Sequence, residues 1–190
     1  MSQDLTPRGS SRAGIDSRAV LAGDLIELRL VREQDLGALY ELMTDLEARG
    51  SYFPLGVLSE PALRAAYAKN GFWDKDEGML LITAGEEIVG EIEFFPISHY
   101  MQGYELSYQL FGDRHAGKGY TSEAVELLTR YLLAGKRVDR IQLVIHPDNA
   151  ASKRVAAKCG FTFEGVMRRA WFHAGEFQDV ELWSRLRGEA

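Results

Sequence analysis

Cysteine is nearly missing from this chain: Cys159 is the single thiol in 190 residues. No disulfide closes within it, so the fold has to stand on packing alone. Long apolar runs are missing as well. No stretch of 18 apolar residues occurs and no apolar segment follows the N-terminus, which leaves a soluble, cytoplasmic protein as the expectation. Positive charge is in short supply, with 22 Lys and Arg against 28 Asp and Glu for a net charge of −6. A field of that sign repels polyanions and attracts amines, so neither nucleic acid nor a membrane is expected as a partner, whereas a cationic acceptor fits. Internal repeats and low-complexity blocks are absent too.

What is present is ordinary for a globular chain: 46% hydrophobic, 26% charged and 11% aromatic residues. That excludes wholesale disorder and a disulfide scaffold, and the length suits one domain with a substantial core. The opening "MSQDLTPRGSSRAGIDSRAVLA", residues 1–22, has no periodicity and reads as a flexible lead-in. Residues 23–190 are expected to form the single domain.

"DLIELRLV" (24–31) alternates as a first strand, and "REQDLGALYELMTDLEARG" spaces Leu36, Leu39, Tyr40, Leu42, Met43 and Leu46 as a helix stopping at Gly50. Ser59 and Pro61 open a second helix that Asn70-Gly71 closes. "GMLLITA" and "EIVGEIEFFPI" form a hairpin around Gly85-Glu86, and "YELSYQLF" (104–111) is a further alternating strand. Ala124, Leu127, Leu128, Tyr131 and Leu132 then recur at helical spacing. "RIQLVIH" reads as a buried strand, "NAASKRVAAKC" as a short helix ended by Gly160, and two last strands flank His173 to Gly175. The order is β-α-α-β-β-β-α-β-α-β-β.

Between the "YELSYQLF" strand and the helix that follows lies "GDRHAGKGYTSEA", two of whose glycines open a helix N-terminus. Unpaired backbone N–H groups, the positive end of the macrodipole and the absence of Cβ atoms together suit a phosphate there. A plain strand-to-helix turn that needs positive φ is the bland reading. Gly112, Gly117 and Lys118 have the spacing of a nucleotide P-loop, but Gly119 stands where a Mg²⁺-ligating hydroxyl is required. A dinucleotide site fails as well, since His146 occupies the end of the next strand in place of an acidic residue. A pyrophosphate held by amides, without a metal, remains.

The stretch "RHAGKGYTSEA" resembles the [QR]-x-x-G-x-[GA] acetyl-CoA pyrophosphate loop of the GNAT acetyltransferase superfamily. "HPDNAASKRVAAKCGFTFEGVMRRAWFHAGEFQDVELWS" is similar to the N-x-x-S helix, Gly-Phe and terminal hairpin of its RimJ/RimL-type branch, which acetylates ribosomal-protein N-termini and many other amines. The likeness runs over roughly 24–187 and implies an α/β (α+β) fold: a mixed, mostly antiparallel sheet, flanked by helices and splayed between its fourth and fifth core strands. Those strands are "YELSYQLF" and "RIQLVIH" here. It further implies acetyl-CoA as co-substrate, no metal, and direct attack by a neutral primary amine of a protein N-terminus or basic small molecule in a ternary complex. A catalytically silent acyl-CoA-binding sensor is the alternative, and the oligomeric state is open, a homodimer included.

By that resemblance the backbone at Leu110 and Phe111 meets the pantetheine and polarises the thioester carbonyl. Arg114, His115, Ala116, Gly117, Lys118, Gly119, Tyr120 and Thr121 wrap the pyrophosphate. Asn149 contacts the cofactor arm or, equally, caps the helix after it. Ser152 lies near the thioester sulfur and assists the departing thiolate, or is an ordinary first-turn serine. Glu105 is the candidate base for the ammonium proton, against a plain strand glutamate. Cys159 lacks an adjacent base and is expected to be core, and His146 is left outside the catalytic set. Tyr52, Phe53, Pro54, Trp73, Trp171 and Phe172 are candidates for an aromatic acceptor wall.

Overall fold

The computed structural model describes residues 19–189. Eight strands form one sheet in the order β1-β2-β3-β4-β5-β6-β8-β7: β1 (Leu21–Ala22), β2 (Glu27–Leu30), β3 (Gly78–Ala84), β4 (Glu87–Pro96), β5 (Tyr104–Leu110), β6 (Arg140–Ile145), β7 (Thr162–His173) and β8 (Glu176–Leu186). Four α-helices accompany them among the described residues: α1 (Leu36–Thr44), α2 (Glu60–Asn70), α3 (Tyr120–Gly135) and α4 (Ala150–Lys158). No helix there is long and apolar enough to cross a membrane.

β3 shows why the chain layers as it does. Its side chains alternate between two apolar clusters, as a period of two requires. Leu80 and Ile82 join α3's Ala124, Val125, Leu128 and Leu132 on one face. Met79 and Leu81 join Leu36 and Leu39 of α1 on the other. Helices cover both faces of the sheet centre, so β3 reads as a continuous apolar run rather than a half-polar one.

Strand pairing begins earlier than periodicity suggested. Leu21 and Ala22, within the stretch set aside as lead-in, pair antiparallel with Leu28 and Glu27; residues 1–18 lie outside the described ones. Helix α1 ends at Thr44, short of the expected stop at Gly50. There Thr44 Oγ1 donates back to Tyr40 O at 2.8 Å, and Asp45 Oδ1 accepts from Ala48 N at 3.0 Å. Such local side-chain bonds offer the backbone an alternative to the helical ladder. The caps of α2 follow the sequence: Ser59 accepts from Ala62 N, and Gly71 takes the left-handed conformation.

All the neighbouring strand pairs are antiparallel except β5 and β6, which run parallel. These two share only two register pairs, Tyr104 with Ile141 and Glu105 with Gln142. Beyond them the facing edges of β5 and β6 are unpaired, and the sheet splays where the family resemblance implied an opening.

Candidate active site

The gap between β5 and β6 opens into a cavity of about 720 Å³, to which Leu106, Ser107 and Tyr108 contribute from β5 and Leu143, Val144 and Ile145 from β6. Residues of both parities on β5 line it, which an intact sheet would not allow. Glu105 sits at the closed end of the wedge. Its Oε2 accepts from Gln142 Nε2 at 2.8 Å, the residue across the last parallel pair. Burial pushes the Glu105 carboxyl above its ordinary value, with the Gln142 hydrogen bond opposing. A carboxylate in that state is a stronger proton acceptor than a solvated one.

Ser152 and Asn149 reach the same cavity from the start of α4. Asn149 caps that helix, its Oδ1 accepting from Ser152 N at 3.0 Å. Tyr108 lines the cavity near Ser152, and its hydroxyl is buried without a hydrogen-bond partner among the described residues. Burial pushes that phenol up to about 12, partly offset by the neighbouring Ser152 hydroxyl, which stands close by but outside hydrogen-bonding geometry. A neutral hydroxyl left without an acceptor is a donor in waiting for a negative atom.

On the far side of the β5 terminus the chain turns through Gly112, Gly117 and Gly119, all at positive φ, into α3. Gly119 is the N-cap, at φ 87°, and no side chain caps the helix. The first-turn amides of a 16-residue helix are therefore left for an anion. Arg114 flanks this turn, paired to Glu87 at 2.8 Å, and Lys118 lies over the Tyr120 ring. The His115 imidazole is turned inward, 2% exposed, and accepts from Arg114 Nε at 3.0 Å. Its burial, together with Arg114 and Lys118, pushes it below its ordinary value against the pull of Glu87, so it is neutral and braces Arg114. The Phe111 amide donates to Val89 O at 2.9 Å and its ring is core. Strand alternation leaves the Leu110 amide on the edge facing the gap.

The aromatic wall is smaller than the sequence suggested. Tyr52, Phe53, Pro54 and Trp171 line the cavity. Trp73 does not; it packs edge-on against Phe94 at 5.3 Å in the core. Phe172 faces away, 60% exposed against Phe177. His146 stacks on Tyr52 at 4.9 Å, and its Nδ1 accepts from Asp148 N. Cys159 is buried, as expected, with its Sγ on Ser122 O at 3.3 Å. Burial and Glu126 push its thiol up to about 11, against the pull of Arg185 and Lys158.

Sequence reasoning missed two further carboxylates in the cavity, Glu91 and Glu93. The signal was available. In "VGEIEFF" two acids alternate with apolar residues on a strand that is otherwise buried, which puts both charges on one face.

The Acetyltransferase (GNAT) domain family matches residues 26–162. The chain belongs to the GNAT acetyltransferase family. This GNAT acetyltransferase is 26% identical over 175 residues to the ribosomal-protein-serine acetyltransferase of Escherichia coli, covering 90% of this chain and 97% of that protein. The RimJ/RimL-type resemblance thus holds along nearly the whole length. A GNAT-family acetyltransferase from Bacillus anthracis superposes with a TM-score of 0.75 at 25% identity, over 89% of this chain and 99% of that one. The fold is shared as well by the spermidine N-acetyltransferase of Vibrio cholerae solved with CoA and spermine, with a TM-score of 0.76 at 22% identity over 88% and 98% of the two chains. The reaction class of this GNAT acetyltransferase is acetyl transfer to an amine.

Proposed function

We propose that the chain transfers the acetyl group of acetyl-CoA directly to a primary amine, on a protein N-terminus or a basic small molecule, inside the β5–β6 cavity. One observation carries the reading. Two parallel register pairs end at Glu105, the strands part, and the resulting cavity holds Glu105 and Ser152, with the uncapped N-terminus of α3 beyond the β5 terminus. That arrangement suits a long donor with a phosphate end and a reactive end. The Vibrio cholerae protein of the same fold carries CoA.

Acetyl-CoA supplies a thioester, an acyl carbon activated towards amines. The amides of Gly119 to Thr121 and the side chains of Arg114 and Lys118 hold its pyrophosphate, with Gly117 supplying the turn. The backbone at Leu110, with Phe111 bracing the turn, and Asn149 position the arm. Glu105 takes the proton that the entering ammonium must lose before its nitrogen bonds to the acyl carbon. As the carbon–sulfur bond breaks, the Tyr108 hydroxyl, assisted by Ser152, gives one proton to the departing thiolate and regains one from the acetylated nitrogen, which sheds its second proton to become the amide. The proton on Glu105 passes to solvent. No covalent enzyme intermediate is required, and the Cys159 thiol lies in the core with Ser122 as its neighbour.

Incubation with acetyl-CoA and an amine panel, following free thiol and the mass of the amine, tests the reading. N-terminal peptides, polyamines and aminoglycosides form the panel, and acetylated product on at least one of them is expected. Tight acetyl-CoA binding without turnover on any amine refutes the reading and identifies a silent acyl-CoA-binding module.

A further inference from the structure

The cavity wall formed by β4 and β5 carries more negative charge than proton transfer uses. Glu91 and Glu93 alternate on β4, and the antiparallel register sets Glu93 opposite Ser107 and Phe95 opposite Glu105. All three carboxylates therefore face the cavity along one ladder. Successive same-face positions lie ~7 Å apart, so Glu91 stands roughly 13 Å along the strand direction from the level of Glu105. Glu91 is 2% exposed, and its Oε2 has no hydrogen-bond partner among the described residues. An isolated buried carboxylate is costly unless something pairs with it.

The groups around Glu91 do not supply that pairing. Glu93 repels it, and Glu77 in turn acts on Glu93. Arg49, from the segment between α1 and α2, attracts it, but the Arg49 guanidinium sits over the Phe53 ring at 4.8 Å and donates to Gly56 O at 2.9 Å. Loop aromatics and the acidic wall thus enclose a space whose buried carboxyls have no hydrogen-bonded cation among the described residues.

We propose that Glu91 and Glu93 form a subsite for a second cation, so that the preferred acceptor carries a further ammonium or guanidinium besides the amine acetylated near Glu105. The inference rests on the acetyl-transfer reading above and names the substrate class of the same cavity. Seating a cation there lets Glu91 give up its proton and sets both carboxylates beside a positive charge, the arrangement in which buried charge is stable. Burial, with Glu93 adding to it, pushes Glu91 up to about 8, so the empty site holds a proton near neutrality in the place the cation takes. The acidic balance of the whole chain steers such an acceptor inwards.

The test compares acceptors that differ by one charge. Octylamine against 1,8-diaminooctane, long enough to reach from the level of Glu105 to the Glu91–Glu93 pair, and the peptide Ser-Ala-Ala-amide against Ser-Lys-Ala-amide are assayed with acetyl-CoA, using wild type, Glu91→Gln and Glu93→Gln. In wild type the doubly charged member of at least one pair should have the higher kcat/KM by about tenfold or more. Which pair responds separates a small diamine from a basic peptide as the source of the second charge. Either substitution should pull that ratio towards one, in a variant whose melting point stays above the assay temperature; where one variant fails that control, the other decides. Equal kcat/KM within both pairs, or a ratio that a folded variant leaves untouched, overturns the subsite while acetyl transfer stands. No turnover on any of the four acceptors or on the wider amine panel overturns the acetyl-transfer reading and the subsite together.

Discussion

Glu91 should make the folded protein less stable as pH rises from neutrality. Its carboxyl is buried, and that burial, with Glu93 repulsion added and Arg49 opposing, pushes its pKa up to about 8. An unfolded glutamate titrates near 4.3, so between the two values the folded chain binds more protons than the unfolded one. The stabilisation is complete below the unfolded value and is lost as pH climbs through the folded one. A single group with these two values loses about 1 kcal/mol between about pH 7 and about pH 8.5. For a domain of this size that lowers Tm by ~2–4 °C. The window matters, because His115, pushed down chiefly by burial, gives the opposite slope at lower pH. Cys159, pushed up to about 11, adds its own loss at higher pH. Glu93, raised by burial and by Glu77, acts in the same sense as Glu91. Differential scanning calorimetry of ligand-free wild type and Glu91→Gln across that window reads the effect. Wild-type Tm should fall more steeply, with the variant the more stable of the two at the upper end. Parallel Tm curves refute the assignment of a buried, proton-holding carboxylate at Glu91.

Glu105→Gln should lower kcat/KM by about 10²–10⁴-fold and remove the acidic limb of the pH–rate profile, since only the ionised carboxylate accepts the proton. Wild-type activity should rise with pH through a carboxyl value that burial has raised. Gly119→Ala forces a Cβ into φ 87°, against Leu25 Cδ1 at 3.2 Å. That strain is on the order of 1–2 kcal/mol, so KM for acetyl-CoA should rise about 5–30-fold with little change in kcat, by steady-state kinetics. Cys159→Ala should keep acetyl transfer while costing ~1 kcal/mol of stability, and intact-protein mass spectrometry of wild type during turnover should find no acetyl adduct.

The glycine turn and the two strands on either side of the opening were legible because each is local, while the opening between those strands came from the family resemblance. Glycines at 117 and 119 announce positive φ, and the strands "YELSYQLF" and "RIQLVIH" announce themselves by alternation and by a continuous apolar run. The acceptor side was not legible to the same degree. Tyr52 and Trp171 meet His146 across 94 and 25 residues of sequence respectively, and no periodicity within one segment reports such a meeting. Trp73 looked like a pocket residue by type alone, yet Phe94 and Tyr131 had already claimed its ring. Glu91 and Glu93 were readable as a charged face on β4, but whether that face meets solvent or a cavity depends on what α1 and the following loop place over it. The early end of α1 turned on side-chain bonds at Thr44 and Asp45 that compete with helix over a single turn.

Acetyl transfer in the β5–β6 cavity, as proposed, turns on Glu105 as the proton acceptor. Its most direct test is the pH dependence of kcat/KM for wild type and Glu105→Gln on one turned-over amine, with product acetylation confirmed by mass. The wild-type rate should rise through a raised carboxyl value, and the variant should be slower by about 10²–10⁴-fold and lack that limb. A Glu105→Gln enzyme with the wild-type rate and the wild-type profile contradicts it.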